Sequence, residues 1–517
     1  MFASVRSATL LGVQGRSVDV EVHVGLGLPG FTIVGQPDET CRESRDRVRA
    51  ALLSCGLEWP TTRITVNLAP SGERKHGASL DLAIALGILA ADGLVEAAAL
   101  CDHAFVAELG LDGSLRRVRG AAPLAFAAGD RVVVVAPPDA AEAGAAARRG
   151  VRAAPHLRDV LECLAGRRDW PDPAARRHAA DARPAAASSV GPAAASSAAP
   201  DLADVHGQPV ARLALEIAAA GRHHLLLVGP PGAGKTMLAE RLPGLLPALT
   251  DEQSVTATMV HSAAGLEVPG GGLVRRAPFR APHHSSSLVA MVGGGTSAMR
   301  PGEISLATHG VLFLDELGEF PPAVLDALRQ PLEEGLVRVA RARTAVVMPA
   351  RFLLVAATNP CPCGEGTPGA CICDDAARAR YLRRFSGPLL DRFDLRVTVA
   401  RPRTDELLAR ARAEDSASVA ARVASAERVA LARQGCHNAQ LSGDALDAHA
   451  PLDPAARALL RAELERGRLS GRGYHRVRRV ARTVADLRGA PGVVDADHVA
   501  AALALRAATP TARTAPT

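Results

Sequence analysis

HHLLLVGPPGAGKTMLAERL, residues 223–242, is the stretch whose reading decides the fold. The apolar run His223–Val228 has the length of a buried strand. Gly229, Pro230, Pro231, Gly232, Ala233, Gly234, Lys235 and Thr236 satisfy G-x-x-x-x-G-K-T, and a helical pattern follows. Strand, glycine turn and helix N-terminus in that order form a cradle for a triphosphate. Gly229, Gly232 and Gly234 let backbone N–H groups wrap phosphate oxygens, and the helix N-terminus adds partial positive charge. Lys235 is placed to reach the β- and γ-phosphates, and Thr236 to offer a hydroxyl to Mg²⁺. Only two of the 60 basic residues are lysines, Lys75 and Lys235, so a compact ammonium is kept where an arginine fork would not substitute.

A second apolar run, VLFL, delivers Asp315 and Glu316 at its end. Beside a phosphate cradle, this pattern predicts a carboxylate that holds Mg²⁺ through water (Asp315) and one that activates the attacking water (Glu316). A third run, RFLLVAATNP (351–360), ends in Asn359, whose amide is suited to orienting that water. In GPLLDRFDL (387–395), Arg392 is the expected finger for a neighbouring subunit's γ-phosphate. Arg472, at a helix start in LSGRGYHRVRRVARTVADL, is suited to a second arginine contact, with Arg476 as the fallback.

Working outward, residues 1–165 alternate strand and helix patterns. Val18–Val24, Arg63–Leu68 and Arg131–Ala136 read as strands; Glu43–Cys55 and Leu80–Ala91 read as helices. Residues 166–200 run into Ala, Pro, Ser and Arg, as in ARPAAASSVGPAAASSAAP, and read as a flexible linker. A second α/β region spans 201–402, a helical region 403–508, and a tail 509–517. The fold class is α/β with a helical C-terminal lid.

Bulk composition narrows the function classes. The chain has 517 residues, 48% hydrophobic and 22% charged, with a net charge of +6. Its most apolar stretch, Ala78–Leu100, is cut by Asp81, Asp92 and Glu96, which argues against a membrane span. The N-terminus lacks a signal-type apolar run, so a cytoplasmic location is the expectation. Aromatics are 3%, so contact with nucleic acid should run through phosphates rather than base stacking. Cys361, Cys363, Cys371 and Cys373 form C-P-C-x7-C-I-C. Four thiolates in so short a loop suit a structural Zn²⁺; unliganded thiols or a redox pair are the alternatives.

Seven strings resemble the YifB/ComM family of Mg-chelatase-like AAA+ ATPases. They are GFTIVGQPDETCRESRDRVRAAL, RITVNLAPSGERKHGASLDLAIALGIL, DVHGQPVARLALEIAAAG, RAPFRAPHHSSS, RPGEISLATHGVLFLDE, NPCPCG and YHRVRRVARTVADL. The resemblance implies a Lon-protease-like first domain, an AAA+ module of the helix-2-insert clade and a Mg-chelatase C-terminal helical domain. It also implies hexameric rings and branch migration of DNA during natural transformation. A metal-insertion chelatase subunit and a protein-remodelling ring are the alternatives.

The resemblance bears on three further segments. About 80 residues separate Lys235 from Asp315, room for an inserted hairpin or helix. VRVARARTAVVMPARF (337–352) reads as a hairpin with Arg341 and Arg343 near its turn, where a ring's pore would meet a phosphate backbone. His283 and His284 read as a structural or DNA-proximal loop, with a metal role as the alternative. In the Lon-like region, Ser79 falls at the nucleophile's place, but the partner lysine's place holds Ala122. Arginine is too basic to act as a free base there, so proteolysis is not expected.

Overall fold

The computed structural model describes residues 1–171, 200–268, 272–295, 299–341, 344–365, 371–385, 387–408, 413–490 and 492–506. The linker proper and the tail lie outside these residues.

The N-terminal sheet has seven strands. In spatial order they are Gly30–Val34, Arg63–Ala69, Gln14–Gly25, Phe2–Leu11, His103–Val106, Val132–Val135 and Val151–Ala153. Phe2–Leu11 and Gln14–Gly25 form an antiparallel hairpin, with Val5 opposite Val20. The side-chain period of two divides the strands between faces. Phe105 and Val134 pack with the helices Glu39–Ser54 and Asp81–Ala91. Their neighbours Ala104, Val106, Val133 and Val135 face the other way, toward the helix Ala121–Ala127. That helix joins the two halves of the molecule: Gly120 N donates to Ser262 O (3.1 Å) and Ala122 N to Ser262 Oγ (3.2 Å). Ser79 is buried and its hydroxyl donates to Ala8 O at 2.9 Å, a backbone tie within this domain.

The central sheet is parallel throughout, in the order Phe279–Arg280, Val311–Leu314, Leu353–Thr358, Leu225–Val228, Leu395–Thr398. LLLV, VLFL and LLVAAT are unbroken apolar runs because both faces of a parallel sheet are covered. Leu225 and Leu227 face the helices Pro209–Gly221 and Lys235–Leu245 and the C-terminal lid, whereas Leu226 faces the opposite core, which is shared with the N-terminal domain. The segment between Lys235 and Asp315 supplies the helices Asp251–Ala264, Leu288–Val292 and Glu303–Leu306 and a two-stranded ladder, Gly293–Gly294 with Arg300–Pro301. The hairpin Leu336–Arg341/Thr344–Pro349 forms as the pattern predicts; Arg343 and the Arg341 side chain lie outside what is described.

One boundary shifts. The predicted strand His223–Val228 begins only at Leu225, because its neighbours pair with Leu225–Val228 alone. His223 is instead a buried junction between core and lid. Its ring nitrogens lie 3.0 Å from Asp394 Oδ2 and 2.7 Å from Thr483 Oγ1. Asn438 Nδ2 extends the network by donating to Thr483 Oγ1 (3.1 Å) and Asp486 Oδ2 (2.8 Å).

The lid comprises Ser416–Gln434, Gly443–His449, Pro454–Glu465, Gly471–Leu487 and Ala496–Ala504. Side-chain N-caps fix its starts: Asp415, Asp453, Ser470 and Asp495 each accept from a first-turn N–H.

Candidate nucleotide site

The glycine turn emerges from the end of Leu225–Val228 and runs directly into the helix that starts at Lys235. Gly229 passes so close to the next strand that an added Cβ would sit 2.2 Å from Val399 O. Gly234 caps the helix at φ +87°, a left-handed conformation that favours glycine. Between the turn and the adjacent strand ends lies a cavity of about 410 Å³. It is lined by Pro231 to Met237 together with Asp315, Glu316, Thr358 and Asn359. That is ample for a small polyanion.

Strand order explains how these groups meet. Leu353–Thr358 lies between the strand that feeds the turn and the strand Val311–Leu314 that leads into Asp315, so Asn359 emerges beside Lys235. Lys235 Nζ donates to Gly229 O (2.7 Å), Pro230 O (3.0 Å) and Asn359 Oδ1 (3.1 Å). Burial lowers its pKa, against the opposing pull of Asp315 and Glu316. Thr236 Oγ1 donates to Asp315 Oδ2 at 2.6 Å, an arrangement in which hydroxyl and carboxylate can share one Mg²⁺ shell. The pre-formed triad of ammonium, hydroxyl–carboxylate pair and amide is suited to binding a metal–triphosphate.

Glu316 departs from the simple picture. It sits at φ +51°, turning the chain sharply after the strand, and its Oε2 lies 3.1 Å from His284 Nδ1. His284, tilted against His283 with ring centroids 4.0 Å apart, therefore stands beside Glu316 at the rim of the candidate site. It reaches there because its segment follows Phe279–Arg280, which pairs beside Val311–Leu314. Sequence spacing carried no sign of that pairing.

Arg392 and Arg472 do not line the cavity. Arg392 pairs with Glu333, and burial together with the positive charges of Arg476 and Arg472 pulls its pKa down. Arg476 is buried, 3.4 Å from Asp394 Oδ1 and 3.9 Å from Asp391 Oδ1. The charge of Arg392 is thus felt among those of Arg476 and Arg472, and neither Arg392 nor Arg472 lines the cavity of its own chain.

The cysteines converge as expected from their pattern: all four Sγ atoms lie within 4.8 Å of one another. Backbone N–H donation from Glu365 brings the Cys363 thiol down to about 6.

Three family profiles match successive parts of the chain. "Subunit ChlI of Mg-chelatase" covers residues 20–138, "Magnesium chelatase, subunit ChlI" 201–407, and "Magnesium chelatase, subunit ChlI C-terminal" 413–506. Competence protein ComM of Haemophilus influenzae is 44% identical over 508 residues, covering 98% of this chain and 97% of that protein. The chain belongs to the YifB/ComM family of Mg-chelatase-like proteins. YifB of Escherichia coli K12, itself uncharacterized, is 41% identical, covering 97% of this chain and 96% of its own length. An uncharacterized protein of Mycobacterium tuberculosis H37Rv is 45% identical, with 97% of each covered. Membership makes the fold an AAA+ type and the chain an AAA+ ATPase using ATP and Mg²⁺. Among the described residues, no helix is long and apolar enough to cross a membrane.

Proposed function

We propose that this YifB/ComM-family chain is a ring-forming DNA motor that couples ATP hydrolysis to branch migration. The observation that carries the reading is the division of the site. A complete phosphate cradle lies at one place, while the Arg392–Arg472 cluster lies outside the cavity it would have to serve. Arginines so placed are available to the site of another subunit, which would make hydrolysis depend on assembly, with six subunits as the family resemblance implies.

The roles then follow. Lys235 neutralises the β- and γ-phosphates while Gly229–Gly234 wrap them. Thr236 and Asp315 hold Mg²⁺. Glu316 takes a proton from the attacking water, Asn359 orients that water, and Arg392 and Arg472 stabilise charge in the neighbour's transition state. The relation to a competence protein and the arginine-bearing hairpin 336–349 support DNA as the partner. Zn²⁺ on Cys361, Cys363, Cys371 and Cys373 completes the cofactor set.

The chelatase names of the matching profiles favour a second reading, metal insertion. Steady-state ATPase with single-stranded and forked DNA separates the two. Stimulation by DNA that is absent in Lys235→Ala and in Arg392→Ala is expected. Mixing those two variants should restore part of the activity, because each supplies the half-site the other lacks. Vigorous hydrolysis indifferent to every DNA structure would overturn the DNA reading. Mixed rings with no regained activity would overturn the shared site.

A further inference from the structure

We propose that the four-cysteine knuckle holds a zinc ion that braces the phosphate loop, with Glu365 and Arg401 as the positioning residues that transmit the brace. The inference rests on the nucleotide reading above.

Among its described residues the knuckle has no apolar core of its own. Ile372 is its one large apolar residue among those described, and it is 89% exposed. Something other than apolar burial must hold the loop together, and metal binding is the usual substitute. The sulfur positions fit a metal rather than a disulfide. Tetrahedral thiolates about 2.3 Å from zinc stand about 3.8 Å apart, whereas bonded sulfurs are about 2 Å apart. Here Cys361 Sγ lies 3.3 Å from Cys363 Sγ and 3.5 Å from Cys371 Sγ, and Cys363 and Cys371 are 3.5 Å apart.

Three ties run from this knuckle to the cavity wall. Cys361 follows Asn359 by two residues, and Asn359 accepts from Lys235 Nζ. Gly364, held by its N–H on Cys361 O (3.0 Å), packs so tightly on Pro231 that an added Cβ would meet Pro231 Cδ at 2.7 Å. Glu365, whose N–H is bonded to the Cys363 sulfur, takes Arg401 in a forked pair at 2.9 and 3.3 Å. Arg401 Nε also donates to Pro231 O at 3.3 Å. A metal at the sulfurs therefore fixes residues 361–365, and these hold Pro231 and Asn359 in place. Without it the turn loses a wall, and the ordering of that wall must come from the nucleotide's binding energy.

The test uses the full-length chain purified without chelator. Zinc is measured by elemental mass spectrometry and affinity with a fluorescent ATP analogue in excess Mg²⁺. About one zinc per chain is expected. Stripping it with a zinc-selective chelator should weaken analogue binding about tenfold or more, the range for losing support around a metal site, and added zinc should restore it. The Cys363→Ser/Cys371→Ser variant should match the stripped chain. Arg401→Ala should keep its zinc yet bind the analogue several-fold more weakly. A chain that never takes up zinc, or a stripped chain that binds as tightly as before, overturns the proposal. Full affinity in Arg401→Ala overturns the route through Pro231. If neither the loaded nor the stripped chain binds the analogue, the nucleotide reading falls with it.

Discussion

Replacing Gly229 by alanine tests whether the phosphate turn is shaped by its neighbour strand. Val399 N donates to Val228 O at 2.8 Å, so the two backbones are pinned where Gly229 leaves the strand. The new Cβ would stand 2.2 Å from Val399 O, against the 3.0 Å that real Cβ atoms keep. The obstacle is backbone, not a flexible side-chain end, so the sheet edge must open by about 0.8 Å. Overpacking of that kind costs about 1–3 kcal/mol, which in a unit of this size lowers the melting temperature by about 2–12 °C. Gly232 is the matched control: its added Cβ meets nothing within 4 Å, but its φ is +77°. Alanine there costs about 1–2 kcal/mol of backbone strain without moving the strand. Calorimetry of both variants, followed by titration with the ATP analogue, separates the contributions. Gly229→Ala should lose stability and affinity together. A Gly229→Ala protein that melts within about 1 °C of the parent and binds nucleotide normally would refute the close-approach argument.

Other outcomes follow from the same geometry. His284→Ala releases Glu316 from a contact that competes with its approach to water. Basal phosphate release should rise about two- to fivefold, the scale of one half-exposed hydrogen bond of about 0.5–1 kcal/mol; a fall in rate would mean that the imidazole assists the glutamate. Thr483→Val leaves His223 Nε2 and Asn438 Nδ2 short of a buried partner. It should destabilise the core–lid unit by about 1–3 kcal/mol in urea unfolding, and an unchanged midpoint would count against the junction. Acidification should act unevenly. Burial depresses His224, His309 and His437 to about 4, so the unfolded chain takes up their protons first, and the core–lid unit loses stability as pH falls from about 6.5 toward 4. Asp139, raised by burial to about 7, works oppositely in the N-terminal domain and offsets loss there over the same range, against the lowered His103. Hydrogen exchange of the two halves at pH 7 and pH 5 reads the difference; equal loss in both would contradict it.

Much of the site was legible because its signals are local. The turn 229–236 and the carboxylates closing VLFL are consecutive residues whose chemistry needs no third element to interpret. The helix start near Arg472 was legible as well, and the structure places Ser470 as its cap. His223 was misread for an instructive reason: a residue beside a strand looks like part of it until the ladder's length is known, and burial with Asp394 then decides its place. His284 was singled out, but its contact with Glu316 was not legible.

The sequence by itself pointed to the kind of chemistry: a phosphate-type turn with one lysine, two acidic residues, an amide and a cluster of thiols. It also marked the central strands as buried, because unbroken apolar runs are a property of the chain itself. Only tertiary structure decided which buried faces meet. Side-chain periodicity states that a surface is covered but not by what. The contact of His284 with Glu316, the reach of Arg401 to Pro231 and the grouping of Arg392 with Arg472 all depend on strand order and lid docking, which arise from packing between segments far apart in the chain.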